Sequence, residues 1–530
     1  MSRSRGPEYA AIYLLAVGRS DCQPAAFRLK EKMGNDHPRI VVIGGGVSGL
    51  AAAHRVLELN PAAEVTLLEA GPRLGGVVHT ERRDGFLIEH GAENFLTTLP
   101  GAIDLCERIG FSDELVPTNE AHRRAFVLRK GRLKPIPAGF AVMAPSRAWP
   151  VLSSSILSPW GKLRLAGEAF VRRRQDPEDE SLASFVTRRL GRETYDRLVQ
   201  PLVAGIYTAN PEKLSIDAAM PRFREMERRH GSLIRAMWKQ RRESRTDNGN
   251  GKASGARYSQ FVAPRDGMTA LINAVAARLP ATGVHLHSPV ERLDALPGNR
   301  WRIVAGGADR REFTADGVVL ALPARRSAVL LRHVDAQLAT ELEQIEYATC
   351  ALATFGFRRE QIEHPLDGFG VVIPLAERRN ILSATFSSIK YPGRAPAGHV
   401  LIRTYLGGAC QPELMERDDG ALLAMAQQEV VSLLGIKGSP VLQHINRQQD
   451  AMPQYHVGHL SLARRLDDRA SKLGSLVLAG NSLHGVGIPQ CIRTAETAVE
   501  RLLTRAASLR QADSPPADSL PAVGANGRLS

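Results

Sequence analysis

Short runs of β-branched residues and stretches of helical periodicity alternate along this chain. Ile40–Ile43 is a run of the kind found in a parallel strand buried on both faces. Leu50–Leu59 then repeats its apolar positions at helical spacing, and Asn60-Pro61 stops it. Val65–Leu68 is a second apolar strand, so the pattern predicts a βαβ unit. Phe126–Leu128 and Leu133–Ile136 flank Lys130-Gly131 as a hairpin. Glu180–Ala219 reads as helix through Leu190, resumes after Gly191 and is expected to break around Pro201. A helix opens at Gly267-Met268, and Val284–Arg292, Trp301–Ala305 and Glu312–Leu322 follow as strands. Thr349–Phe357, Gly370–Ile373, Leu382–Phe386 and Val400–Tyr405 predict a separate antiparallel sheet, with a helix at Leu422–Leu434. Val477–Ala479 is a last strand, Gly480 its turn, and a helix enters at Ile488.

The turn after the first strand adds chemistry to this α/β pattern. Gly44-Gly45-Gly46-Val47-Ser48-Gly49 fits G-x-G-x-x-G, and Glu69 ends the second strand twenty residues after Gly49. Gly44 permits a tight turn, Gly46 clears the way for a pyrophosphate, and Gly49 allows close helix–strand packing. The helix N-terminus offers unpaired N–H groups and partial positive charge. Glu69 is placed to accept hydrogen bonds from an adenosine ribose, and an acid there disfavours a 2′-phosphate. Strand before, helix after and acid at that distance point to a Rossmann-like dinucleotide site. Arg73, Gly75-Gly76 and Thr80 follow. A second glycine pair brings another backbone segment to the same ligand, and Arg73 is a candidate to neutralise phosphate charge.

At 530 residues the chain has room for two or three domains, and 43% hydrophobic content is ordinary for a globular protein. A net charge of +14 suits nucleic acid, an anionic membrane or an anionic substrate. Only 5% of residues are aromatic, and no nucleic-acid motif occurs, so nucleic acid is not an expected partner. The five cysteines are odd in number and scattered, with no C-x-x-C or Cys/His cluster. They suggest a reducing, cytoplasmic setting and no metal site. His285 and His287 alternate with core positions in a strand and have no third ligand nearby in sequence. Tyr9–Val17 is apolar but too short to span a bilayer, and no run of about eighteen apolar residues occurs. Residues 1–38 are expected to be a disordered extension or the product of an early start codon, with Met33 the true start. Residues 246–255 read as a mobile polar loop, and the tail 511–530 as disordered.

Glu69 through Thr80, E-x-x-x-R-x-G-G-x-x-x-T after the glycine fingerprint, resembles the flavin-dependent amine oxidase superfamily. Within it, F-x-x-R-R-L-G from Phe185 and P-L-x-x-G-I-Y from Pro201 resemble the protoporphyrinogen and coproporphyrinogen oxidases. Pro453–His459, PQYHVGH, and Asp316–Pro323, DGVVLALP, are similar to segments of that family. The resemblance implies FAD. It implies a discontinuous FAD domain (39–105, 265–325 and 470–506), an antiparallel-sheet substrate domain (106–135 and 326–469) and a helical membrane-surface subdomain with a basic loop (136–264). As FAD contacts it implies Gly44, Gly45, Gly46, Val47, Ser48, Gly49, Glu69, Ala70, Arg73, Gly76 and Val77 near the adenosine and pyrophosphate. It implies Gly91, Ala92, Glu93 and Asn94 against the isoalloxazine, Val290 by backbone near the adenine, and Asn481, Val486, Gly487 and Ile488 near the ribityl chain and pyrimidine. His456 and His459 are expected to be structural.

The implied reaction removes six electrons from a porphyrinogen in three two-electron steps. The flavin N5 takes hydride, molecular oxygen is the acceptor and hydrogen peroxide the by-product. No acid–base pair stands out, because the cofactor carries the chemistry. Arg124, in the basic hairpin region, is the candidate to meet a substrate propionate. The basic surplus leans toward coproporphyrinogen, which carries four propionates to protoporphyrinogen's two. Trp149, Trp160 and Arg172–Arg174 border a proline-broken apolar stretch and suggest peripheral contact with a membrane. A homodimer and contact with the next heme-pathway enzyme are further expectations. The alternatives are another amine oxidase or desaturase, disfavoured by the lack of an aromatic pair near Gly480, and a non-catalytic flavin-binding membrane adaptor.

Overall fold

The computed structural model describes residues 37–141, 143–145, 148–176, 178–246 and 261–513. Nearly all of the expected N-terminal extension, the polar loop beyond Thr246 and the tail beyond Asp513 lie outside the described residues.

A five-stranded parallel sheet sits at the centre of the flavin-side half, in the order Val284–His285, Glu64–Leu68, Arg39–Ile43, Gly317–Leu320, Leu476–Leu478. Its alternation explains the unbroken apolar runs. Ile40, Val42 and Leu67 pack into one core with the helices Val47–Leu59, Met268–Ala276 and Ile488–Asp513. Val41, Ile43 and Leu68 face a second core on the other side, formed with Trp301, Ile303, Leu338 and Leu466. With both faces covered, alternate positions on both sides are apolar in the buried central part of the strands. The strands end at Gly44, Glu69, Ala321 and Ala479, so the loops that carry chemistry gather along one edge.

A seven-stranded sheet forms the other half, in the order Leu442–Pro453, Tyr347–Arg358, His399–Gly407, Ser383–Phe386, Gly370–Val372, Phe126–Arg129, Arg132–Pro135. It is antiparallel except where Gly370–Val372 meets Phe126–Arg129. Lys130 (φ 50°) and Gly131 (φ 72°) make the hairpin turn with two left-handed residues, the geometry that matches strand twist. The helix Asp419–Leu434 covers one face through Leu422, Ala426 and Val430.

Several expected boundaries fall differently. The helices Ala324–Leu331, Ala336–Glu343 and His459–Ser471 pack on the parallel sheet, not on the seven-stranded sheet. Phe261–Pro264 leaves the helical subdomain to pair with Phe95–Leu96 and Leu115–Pro117. The last helix runs on to Asp513. The strand read as Val284–Arg292 is two strands, interrupted where His287 takes φ 52° and Pro289 follows, so His287 is exposed rather than in register with a core. Glu312–Leu322 is likewise split between two sheets.

The helical subdomain does not break at Pro201. Tyr195–Val199 forms a π-helical turn, with Gln200 N–H bonded to Tyr195 O. The widened turn carries Pro201, which has no N–H to donate, into the first turn of the helix Gln200–Tyr207. This subdomain is organised around buried charge. Arg189 and Glu168 are fully buried and paired, and Glu168 also accepts from Ser232 Oγ (2.5 Å), Leu233 N (3.0 Å) and Ile234 N (3.2 Å). Arg224 and Arg188 each bond Glu180, at 2.7 and 2.6 Å.

Candidate flavin and substrate site

The glycine loop is shaped by contacts that forbid side chains. A Cβ on Gly44 would lie 2.5 Å from the Ala321 carbonyl oxygen, and one on Gly49 would strike the Gly44 carbonyl. Gly46 is different: nothing lies within 4 Å of where its Cβ would be. It caps the helix Val47–Leu59, whose first turn has no side-chain cap. Open space in front of free N–H groups fits a pyrophosphate. Val47 is half-buried at this entrance. Buried Ser48 lies in the first turn of this helix, which packs against the C-terminal helix Ile488–Asp513, where the Cys491 thiol faces the Gly485 and Val486 carbonyls at 3.8 Å.

Glu69 stands at the edge of the same loop. Its carboxylate accepts from Gly45 N (2.6 Å) and Gly71 N (2.7 Å), with exposed Ala70 between the two segments it ties. The second glycine pair closes over the first: Gly75 N–H donates to Gly45 O (2.8 Å), and a Cβ on Gly76 would lie 3.3 Å from the Gly46 Cα. Arg73 donates to the carbonyls of Leu74 (3.2 Å), Gly76 (2.8 Å) and Val78 (3.1 Å). Its guanidinium thereby shapes this second loop. Val77 is half-exposed beside it. Ser288 N–H donates to Glu69 O (2.8 Å) and His287 N–H to Gly71 O (3.1 Å), which docks the start of the strand at Val290 against the acid.

Gly91–Asn94 is held from the opposite half of the molecule. A Cβ on Gly91 would strike the Val77 carbonyl, so this loop packs directly on the second glycine segment. Arg403 Nη2 donates to Gly91 O (2.7 Å), while Asn446 Nδ2 (2.8 Å) and Gln448 Nε2 (2.6 Å) both donate to His90 O. Ala92 and Asn94 are half-buried. Glu93 is buried, 3.6 Å from Lys390 Nζ and 3.9 Å from Arg403 Nη1. Burial pushes the Glu93 carboxyl up, but the two cations outweigh it and hold it below the ordinary carboxylate range. Burial pushes Lys390 down against the pull of Glu93.

The last segment is fixed by the PQYHVGH stretch. Tyr455 Oη donates to Asn481 O (2.5 Å) and accepts from Gly485 N (2.8 Å). Asn481 Nδ2 donates to Ala451 O (3.1 Å). His459 stacks on Tyr455 with ring centres 3.8 Å apart and donates from Nε2 to Leu483 O (2.9 Å). Burial pushes His459 down to about 4, so it is a neutral structural ring. Gly487 N–H is capped by Gln490 Oε1 (3.1 Å), and buried Ile488 begins the helix. Val486 and Gly485 line an apolar recess with Tyr207, Ala209, Leu214 and Tyr455. Arg124 lies at the entry to the strand Phe126–Arg129, half-exposed and 3.1 Å from Asp367.

The residues with no sequence signal are those that reach across: Arg403, Lys390, Asn446 and Gln448. The strand Leu442–Pro453 is polar and was not predicted. Its one clue is that Asn446 and Gln448 stand two apart and so share a face.

The flavin-containing amine oxidoreductase family matches residues 47–503. The chain is 34% identical to a coproporphyrinogen III oxidase of Propionibacterium freudenreichii subsp. freudenreichii, over 89% of this chain and 92% of that protein. It is 31% identical to the Bacillus subtilis (strain 168) coproporphyrinogen III oxidase, over 89% of this chain and 99% of that protein. A crystallised candidate protoporphyrinogen oxidase from Exiguobacterium sp. 255-15 superposes with a TM-score of 0.77 at 30% identity, covering 88% of this chain and 99% of that one. Two glycine segments closing over an uncapped helix, an acid on the neighbouring strand and a match spanning nearly the whole fold agree: this chain belongs to the flavin-containing amine oxidoreductase family and is an FAD-dependent oxidoreductase.

Proposed function

We propose that this enzyme oxidises a porphyrinogen to the porphyrin in heme biosynthesis, with coproporphyrinogen III as the preferred substrate. The observation that carries this reading is the 34% identity, across 89% of the chain, to a coproporphyrinogen III oxidase. Bound FAD supplies the two-electron oxidation, used three times per substrate. The chain's own residues position and enclose. Gly44 to Gly49 with Gly75-Gly76 hold the dinucleotide by backbone, and Glu69 takes the ribose. Arg403, Asn446 and Gln448 fix the Gly91–Asn94 loop, on which the orientation of the ring system depends. Tyr455 and His459 fix Asn481–Val486. The recess at Val486 is apolar, as the face of a tetrapyrrole requires. Arg124 meets a propionate, which takes the place of Asp367 as its partner.

Trp149, Trp160, Leu163 and Phe170 are exposed on the helical subdomain, Phe170 at 84%, with Arg172 exposed beside them. This supports peripheral contact with an anionic membrane. Arg174 takes no part, because it pairs with Asp176 at 2.7 Å. No helix among the described residues is long and apolar enough to cross a membrane. Molecular oxygen as acceptor, hydrogen peroxide as product, a cytoplasmic homodimer and handover to the next heme-pathway enzyme complete the reading. Anaerobic mixing of the yellow protein with coproporphyrinogen III or protoporphyrinogen IX tests it. Flavin bleaching is expected with both, faster with coproporphyrinogen. No bleaching with either overturns the reaction, and a faster response to protoporphyrinogen overturns the preference.

A further inference from the structure

Next to the loop expected to face the flavin, three side chains from separate segments converge. Glu81 comes from the strand Thr80–Arg83, His90 follows the strand Phe86–Glu89, and His444 comes from the strand Leu442–Pro453. One ligand atom from each lies within 4.8 Å of the others. Glu81 Oε2 and His90 Nε2 are 3.0 Å apart, and the rings of His90 and His444 are centred 4.6 Å apart. In tetrahedral zinc coordination, bonds of ~2.0–2.1 Å place neighbouring ligand atoms ~3.3 Å apart, close to the first of these separations. His444 Nε2 is buried and has no hydrogen-bond partner among the described residues.

We propose that Glu81, His90 and His444 form a binding site for a divalent transition metal of the zinc type, with a fourth position left for water. A set of two histidines and one carboxylate with an open position suits that ion. Arg83 holds the other carboxylate oxygen, Oε1, at 2.6 Å and so orients Glu81 from behind. The site joins the two halves of the molecule. Two of its ligands belong to the flavin-side hairpin, and the third lies on the strand whose Asn446 and Gln448 hold His90 O. A bound ion therefore clips the Gly91–Asn94 loop to the substrate sheet. Sequence spacing could not reveal it, because His444 is brought in only by folding.

Untagged, chelator-treated holoenzyme titrated with Zn²⁺ by calorimetry, and with Co²⁺ by visible absorption, tests the site. One saturable equivalent per chain is expected, with cobalt bands of four-coordinate intensity. His444→Ala and Glu81→Gln are each expected to weaken binding at least ~10-fold. His333→Ala, a histidine paired with Asp294 elsewhere, is expected to leave it unchanged. Absence of saturable binding overturns the proposal, as does wild-type affinity in the well-folded His444→Ala variant.

Discussion

The flavin cradle and the helical subdomain are built in opposite ways. The cradle works by leaving side chains out. Gly44, Gly49 and Gly91 sit where any Cβ would meet a backbone carbonyl, and Gly46 opens onto free space. The helical subdomain works by burying long charged side chains. Arg189 and Glu168 are both wholly enclosed, and Arg224, Glu180 and Glu227 form a second buried group. Backbone geometry of the first kind is written in neighbouring residues. Arg189 instead bonds Glu168, Val171 and Gly231, positions that meet only in the folded chain. The difference teaches that a site can be recognisable from a short motif while the structure that covers it is not.

The strongest test of that contrast is Arg189→Met. It strands a buried Glu168 carboxylate and is expected to cost ~3–5 kcal/mol in denaturant unfolding, because an uncompensated buried charge keeps its desolvation penalty. Adding Glu168→Leu is expected to recover most of the loss; a double variant as unstable as the single would show that packing, not charge, dominates. Next in size, Gly49→Ala drives a methyl into the Gly44 carbonyl. It is expected to cost ~1–3 kcal/mol and to release FAD, read as lost visible absorbance after purification. Gly46→Ala sharpens the point: stability changes by less than ~1 kcal/mol, yet FAD retention falls, since the methyl enters only the ligand's space.

A smaller effect separates the fastening of the cradle from its backbone. His459→Phe keeps a ring on Tyr455 but leaves the Leu483 carbonyl without its donor, for an expected ~1 kcal/mol. Because His459 titrates near 4 when folded and near 6.5 when unfolded, only the unfolded state gains a proton between those values. Stability is complete above pH 6.5 and falls toward pH 4 by at most ~1.4 kcal/mol per pH unit. The Phe variant is expected to lose that part of the slope, measured by urea melts across the window. Smallest for folding is Trp160→Ser with Phe170→Ser, both exposed, expected to shift stability by ~0.5 kcal/mol or less. Binding to anionic vesicles is expected to drop in the same protein; unchanged binding would remove the membrane surface from the functional reading.

Legibility follows the same division. The strand–glycine–helix–strand order, the Glu69 acid, the Lys130-Gly131 hairpin and most strands of the second sheet were readable, because each depends on local periodicity or turn chemistry. Pro201 misled, since a π-helical turn absorbed it, and that turn leaves no mark in residue type. The strand Leu442–Pro453 was invisible because it lies at a sheet edge and carries polar residues on the face that meets the flavin-side loop. The three carbonyls that Arg73 bonds were not legible, because their orientation depends on how the second glycine loop folds back.

Sequence alone determined that a dinucleotide is held, because such a cradle demands glycine and an acid at set spacings along one βαβ unit; that it is FAD came only through the family resemblance. Sequence also determined the family, through segments scattered over the chain. Only the tertiary structure decided what positions the Gly91–Asn94 loop, which charges are buried, and that Glu81, His90 and His444 meet. Those are contacts between side chains far apart in sequence, and neither periodicity nor spacing carries information about which distant surfaces will be pressed together.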